Sequence, residues 1–207
     1  MKALRIYCEG GGDSPKTKFP LHRGMGAFLE PLIRLARNER IKFDLVICGG
    51  RQAAYDTFKA ALRIHPDAFN VLLVDAEAPV TKAKTVWQHL KTRDGWGALA
   101  CSDEQCFLMV QAMEAWLIAD LDALKKFYGQ GFNATSLPKN PQVELIAKDA
   151  LEPALIKASI NTQKGAYQKI RHGAKLLALI DSNKVRQASP HCDRLFTTLE
   201  NKINAAS

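Results

Sequence analysis

Polar and glycine-rich clusters stand directly behind three short apolar runs, and their residue types are those that handle phosphate and metal. The run ALRIYC leads into Glu9-Gly10-Gly11-Gly12-Asp13-Ser14, FDLVIC into Gly49-Gly50-Arg51, and VLLV into Asp75-Ala76-Glu77. If the runs are parallel strands, all three clusters meet at one edge of a sheet, where open α/β proteins bind ligands. Glu9, Asp13, Asp75 and Glu77 then converge. Like charges repel unless a cation sits among them, and hard carboxylate oxygens suit Mg²⁺ or Mn²⁺. Taken singly, each acid is explained as a helix cap. Taken together, a glutamate before three glycines and an Asp-x-Glu behind a buried strand favour a metal site. Gly10, Gly11 and Gly12 let backbone approach a phosphate, the amides after Gly49 and Gly50 can do so at a helix start, and Arg51 offers a guanidinium. The plainer alternative for Arg51 is a solvated surface arginine.

The elements that must position these groups follow from periodicity. Residues 3–8, 43–48 and 71–74 read as strands, and 26–40 and 52–65 carry apolar residues at helical spacing. The alternation β-α-β-α-β predicts a mostly parallel sheet flanked by helices. A fourth strand is expected at 106–110, running into a helix over 111–128. After Gly129 a connection rich in Gly, Pro and Asn changes the texture, and 142–157, 166–180 and 194–203 read as helices. The expected organisation is an α/β core over 1–130 and a helical C-terminal extension over 131–207 packed on it.

Composition narrows the function classes. The 207 residues are 47% hydrophobic and 24% charged, which excludes a disordered or collagen-like chain. No apolar run approaches the ~20 residues of a membrane span, and the N-terminus has no signal-peptide core, so a cytoplasmic protein is expected. Lys and Arg total 29 against 21 acids, a net charge of +8 that favours a polyanionic partner. The charge is segregated: 139–186 holds nine Lys or Arg and four acids, whereas 101–122 holds five acids and neither Lys nor Arg. Five scattered cysteines without a C-x-x-C pair indicate neither a disulfide framework nor zinc, and Cys8 and Cys48 read as core.

The residues that end the strands resemble the Toprim fold, the metal-dependent catalytic domain of topoisomerases, bacterial primases and overcoming-lysogenization-defect nucleases. The likeness lies in IYCEGGGD and VLLVDAE. More closely, the chain resembles an uncharacterised bacterial Toprim-related family of unknown function whose members are often encoded beside an ATPase in phage-defence loci. YCEGGGDS, ICGGRQAAYDTF, LLVDAEAPV, WQHLKTRDGW, LMVQAMEAWLIAD and KGAYQKIRHGAKLLALID carry that likeness over nearly the whole chain. The resemblance implies a Toprim-like (Rossmann-like) core, Glu9 as general acid/base, Asp75 and Glu77 as metal holders, and an ATPase partner. It departs from the usual Asp-x-Asp pair in Glu77, one methylene longer.

Glu114 falls among apolar residues, either on an exposed stripe or as a partly buried acid needing a partner, and the resemblance adds it to the catalytic candidates. In the tail, Lys164, Lys169 and Arg171 flank Tyr167, the interleaving expected where nucleic-acid phosphates are held; the alternative is a solvated helix face. Trp87, Trp96 and Trp116 read as core, and His89 and His172 are isolated. The acidic, apolar stretch 101–122 is a candidate docking or junction surface. The expected activity is a Mg²⁺- or Mn²⁺-dependent nuclease or related phosphoryl-transfer enzyme. Two rivals stand beside it. GGGDSPKT nearly matches a phosphate-binding P-loop, but Pro15 replaces the glycine whose amide cradles phosphate. The other rival is a catalytically silent binding subunit.

Overall fold

The computed structural model describes residues 1–81, 83–97 and 101–206. Four strands, β1 (Ala3–Glu9), β2 (Lys42–Gly49), β3 (Ala68–Asp75) and β4 (Cys106–Met109), form an all-parallel sheet in the order β2-β1-β3-β4. Apolar residues of both parities along β1 and β3 are buried, because helices cover both faces. Leu4, Ile6, Cys8, Val71 and Leu73 face one core; Tyr7, Leu72 and Val74 face the other. The second core is closed by α3 (Arg51–Ile64) and α4 (Val86–Asp94).

The first core is shared by α1 (Pro15–Phe28), α2 (Glu30–Asn38) and the helices behind β4. These are α5 (Met113–Ala119), α6 (Leu121–Tyr128), α7 (Lys148–Ser159), α8 (Ala174–Leu177), α9 (Ser182–Ala188) and α10 (Pro190–Asn204). Leu155, Leu176, Leu195, Phe196 and Leu199 from the tail thus lie in one hydrophobic cluster with Leu4 and Ile6 of β1. Trp87, Trp96 and Trp116 are buried, as are Cys8 and Cys48. Among the described residues no helix is long and apolar enough to cross a membrane.

Several helices depart from their sequence periodicity. The helix expected over 26–40 begins at Pro15, where the Ser14 side chain accepts from the Lys16 amide and Pro15 takes the first turn. It breaks at Leu29, before Pro31 opens α2. The expected helix 111–128 is two, because Asp120 leaves helical geometry; its carboxylate accepts from the amides of Ala123 (3.2 Å) and Asp181 (2.9 Å) and from Lys184 (2.8 Å). Over 166–180 only a π turn, Lys169–Gly173, and α8 form. Helices α4 and α9 were not anticipated. The stretch 101–122 is expected to be a docking or junction surface; residues 106–118 are buried throughout and α5 packs against α7, α8 and α9, so it is mainly a junction inside the fold.

Helix α1 lies almost backbone to backbone on α8. A Cβ added to Gly24 would stand 2.3 Å from the Ala174 carbonyl oxygen, whereas one added to Gly26 meets nothing within 4 Å. Gly24→Ala should therefore force the two segments apart and cost about 1–3 kcal/mol, whereas Gly26→Ala should be neutral or stabilise by about 0.5–1 kcal/mol. Thermal melts of the two variants side by side check this contrast.

Candidate functional site

The sheet order places a crevice between β1 and β3. From β1 the chain passes outward to β2, and from β3 it passes the other way to β4, so the loops behind these neighbouring strands diverge. Glu9 ends β1 and Asp75 ends β3. The register between β1 and β2 shifts at Cys8/Glu9, and Gly10 pairs with Gly49 through Gly10 N–H to Gly49 O (2.8 Å) and the reverse bond (3.1 Å). Such an irregularity re-aims the side chain beside it, here Glu9. At Gly49 φ is +98° and a Cβ would lie 2.8 Å from the Gly12 oxygen, so the glycine is needed for the loop to close over the strand end.

A cavity of about 330 Å³ opens at this point, lined by Glu9, Gly10, Gly11, Gly12, Asp75, Glu77 and Lys169, with Thr17 and Leu21 of α1 and Ile170 and Ala174 of the tail. The strand-end residues are thus brought together, and the tail contributes a cation to them. Asp75 is buried; its Oδ1 accepts from the Met113 amide (2.9 Å) and its Oδ2 lies 3.8 Å from Lys169 Nζ. Burial, opposed by Lys169 but aided by Glu9 and Glu114, pushes the Asp75 carboxyl up to about 7. Burial likewise raises Glu9, against the pull of Arg51 and of the Asp75 amide, which donates to Glu9 Oε2 at 3.2 Å.

Glu77 sits in the left-handed region at φ 67°, a costly conformation for a side chain with a Cβ. Its amide donates to the Gln111 carbonyl (2.7 Å), and His89 Nε2 lies 2.9 Å from the Ala76 carbonyl just before it. The Glu77 carboxylate pairs with Lys148 at the start of α7 and with Arg93 at 3.3 Å. Burial opposes ionisation here, but the bond and charge of Lys148, then Arg93 and Arg51, outweigh it and hold the carboxyl below its ordinary value.

Arg51 opens α3 and does point to this edge, but its guanidinium is engaged. It donates to Glu9 Oε2 (3.1 Å), to both oxygens of Asp94 (2.9 and 2.7 Å) and to the Asp75 carbonyl, and it lies over the Trp96 ring at 5.0 Å. In this arrangement the guanidinium is committed to Glu9 and Asp94. Glu114 is buried behind the cavity and outside its lining, where it accepts from Tyr167 (3.1 Å) and Lys169 (3.2 Å). It positions Lys169, whose ammonium is raised by Glu114 and Asp75 against the burial that would lower it.

Asp13 and Lys164 are not brought in. Asp13 is exposed beside Gly49, and Lys164 lies over the Phe127 ring at 5.2 Å. Asp94, Arg93 and Lys148 were not anticipated: the first two end a helix, the third starts one, and no strand-end signal marks them. Among the described residues no three His, Cys, Asp or Glu side chains stand as a group that could hold a metal, because each cavity carboxylate is turned to a cation of the chain. The P-loop likeness is not matched in geometry either. Ser14 takes the amides of Lys16, Thr17 and Lys18, and Lys16 is exposed and outside the lining.

These features define an α/β protein whose candidate site occupies the switch-point crevice of a parallel sheet. The chain belongs to the family described as a domain of unknown function (DUF4276), whose model matches residues 9–200, a span containing every residue that lines the cavity. A comparison with curated proteins and one with solved structures each found no match.

Proposed function

We propose that this is a Toprim-like, Mg²⁺- or Mn²⁺-dependent nuclease or related phosphoryl-transfer enzyme acting on nucleic acid, working beside an ATPase in phage defence. The observation that carries the reading is that Glu9, Asp75 and Glu77 reach one cavity from two neighbouring strand ends, with Lys169 facing them. The donor set matches a hard divalent cation in its chemistry and not in its placement, since each carboxylate would first have to leave its cation of the chain. Its oxygens are all carboxylate, and Asp75, held near 7 despite Lys169, is short of compensating positive charge. Asp75 and Glu77 would hold the ion, with Glu77 exchanging its lysine and arginine for it. A divalent ion held there would supply charge neutralisation at a phosphodiester and a lowered pKa for water.

The chain's own residues supply the rest. Glu9, raised by burial, is suited to accept and return a proton, and Arg51 fixes its carboxylate. Lys169, held by Glu114, whose carboxylate Tyr167 fixes in turn, presents an ammonium to a phosphate oxygen. The ATPase and the defence setting rest on the resemblance alone. The silent-subunit reading draws on the pairing of every cavity carboxylate with a cation of the chain.

The deciding experiment titrates the protein with Mn²⁺ by calorimetry and assays labelled nucleic acid for cleavage. Saturable binding and cleavage are expected, with cleavage falling at least a hundredfold in Glu9→Gln. Absence of both, with the cognate ATPase present, leaves the silent subunit. Tight ATP binding lost in Lys16→Ala would instead restore the P-loop reading.

A further inference from the structure

The two segments that flank the cavity, α1 and residues 164–175, carry outside its lining a charge pattern that the catalytic residues do not use. Helix α1 contains Lys16, Lys18 and Arg23 and no acid, and residues 164–175 contain Lys164, Lys169, Arg171 and Lys175 and no acid. The two segments are packed together, nearly backbone to backbone at Gly24 and Ala174, and both reach the cavity, through Thr17 and Leu21 on one side and Lys169, Ile170 and Ala174 on the other. Arg51, Arg93, Lys148, Lys184, Arg186 and Lys202 each meet a carboxylate. By contrast, Lys16, Arg23, Arg171 and Lys175 are exposed and form no ion pair among the described residues. Four exposed cations without an ion pair on two segments packed together repel one another unless an anion covers them. The closeness of the tail's own cations is felt by buried His172, which burial and then Arg171, Lys175 and Lys164 hold below its ordinary pKa.

The same two segments expose apolar side chains. Phe19 is 65% exposed and Ile170 74%, the latter on the rim of the cavity itself. Lys16, Phe19 and Arg23 recur at i, i+3 and i+7 and so share one exposed face of α1, turned away from Thr17 and Leu21 on the cavity side. Exposed aromatic and apolar groups set among cations match a polymer that offers both phosphates and open base faces; in a duplex those faces are stacked away.

We infer that α1 and the Lys169–Lys175 segment form a track that leads single-stranded nucleic acid into the cavity, with Lys16, Arg23, Arg171 and Lys175 on its phosphates and Phe19 and Ile170 against its bases. The inference rests on the nucleic-acid reading above and names the form of the substrate. It also gives the tail a purpose in the site: Lys169 is the end of the track as well as the cavity's cation.

The test measures binding of a fluorescein-labelled oligonucleotide by anisotropy in EDTA, so that no cleavage intervenes, as a single strand and as the matching duplex. The single strand should bind at least about tenfold more tightly. Changing Lys16, Arg23, Arg171 and Lys175 together to alanine should weaken binding and reduce the slope of log K against log salt by about 3, at about 0.7 per cation. Phe19→Ala should weaken the single strand about five- to tenfold and leave that slope unchanged. Equal or better binding of duplex, an unchanged slope in the fourfold variant, or no binding of either form overturns the track. The two readings fail separately. A protein that binds single strands as described but cuts nothing with Mn²⁺ sinks only the cleavage reading; one that cuts nucleic acid undiminished in the fourfold variant sinks only the track.

Discussion

Asp75→Asn should remove divalent-dependent cleavage by several orders of magnitude while making the metal-free protein more stable at pH 8. The first effect follows from taking one negative oxygen from the carboxylate set that would hold the ion. The second follows from burial. In the folded protein the Asp75 carboxyl titrates near 7, against an ordinary 3.8, so between those values the folded state holds a proton that the unfolded chain has lost. Stability therefore falls as pH rises through this window, by at most on the order of 4 kcal/mol. Asparagine carries no such cost, and its Oδ1 still accepts from the Met113 amide, so the start of α5 is kept. Urea melts in EDTA should show variant and wild type closest below pH 4 and the variant ahead at pH 8. Adding Mn²⁺ should then raise the melting temperature of wild type and not of the variant. An Asp75→Asn protein that loses stability at pH 8 would mean that Asp75 is structural.

Arg51→Met should produce the largest loss of stability from a single surface-edge change, about 3 kcal/mol. Methionine keeps most of the apolar stem against Trp96, which stacks on Tyr55 at 4.3 Å, but leaves Glu9 and Asp94 without their shared cation. Both carboxylates are 16% exposed or less, so water compensates them poorly. Arg51→Lys should recover only part of the loss, since an ammonium cannot reproduce the two parallel bonds to Asp94. Asp94 keeps Arg93, so the stranded charge is that of Glu9, and adding Glu9→Gln to Arg51→Met should recover more of the stability. Activity should respond in a diagnostic way. Arg51 lowers the Glu9 pKa against burial, so its loss should move the acid limb of the cleavage profile to higher pH. Loss of activity with an unmoved profile would assign Arg51 to the fold alone.

The sequence by itself determined the sheet and the address of the site. Strands β1, β2 and β3 are dense in β-branched and other apolar residues over lengths that only strands use, and parallel strands must end at one edge. The all-parallel sheet agrees with that reading, and Glu9, Asp75 and Glu77 reach one cavity because strand ends position side chains through backbone alone. Helices were less legible where a neighbour sets their composition. The start of α1 was masked by Pro20, Gly24 and Gly26, yet Gly24 is there because the Ala174 backbone leaves no room for a Cβ. Only the tertiary structure decided the charge state of the site. Arg51 with Asp94, Glu77 with Lys148 and Glu114 with Lys169 are pairs 43, 71 and 55 residues apart, joined by the packing of elements that no local pattern orders relative to one another. A carboxylate's pKa depends on what surrounds it in space, and that is fixed only when the tail closes over the sheet edge.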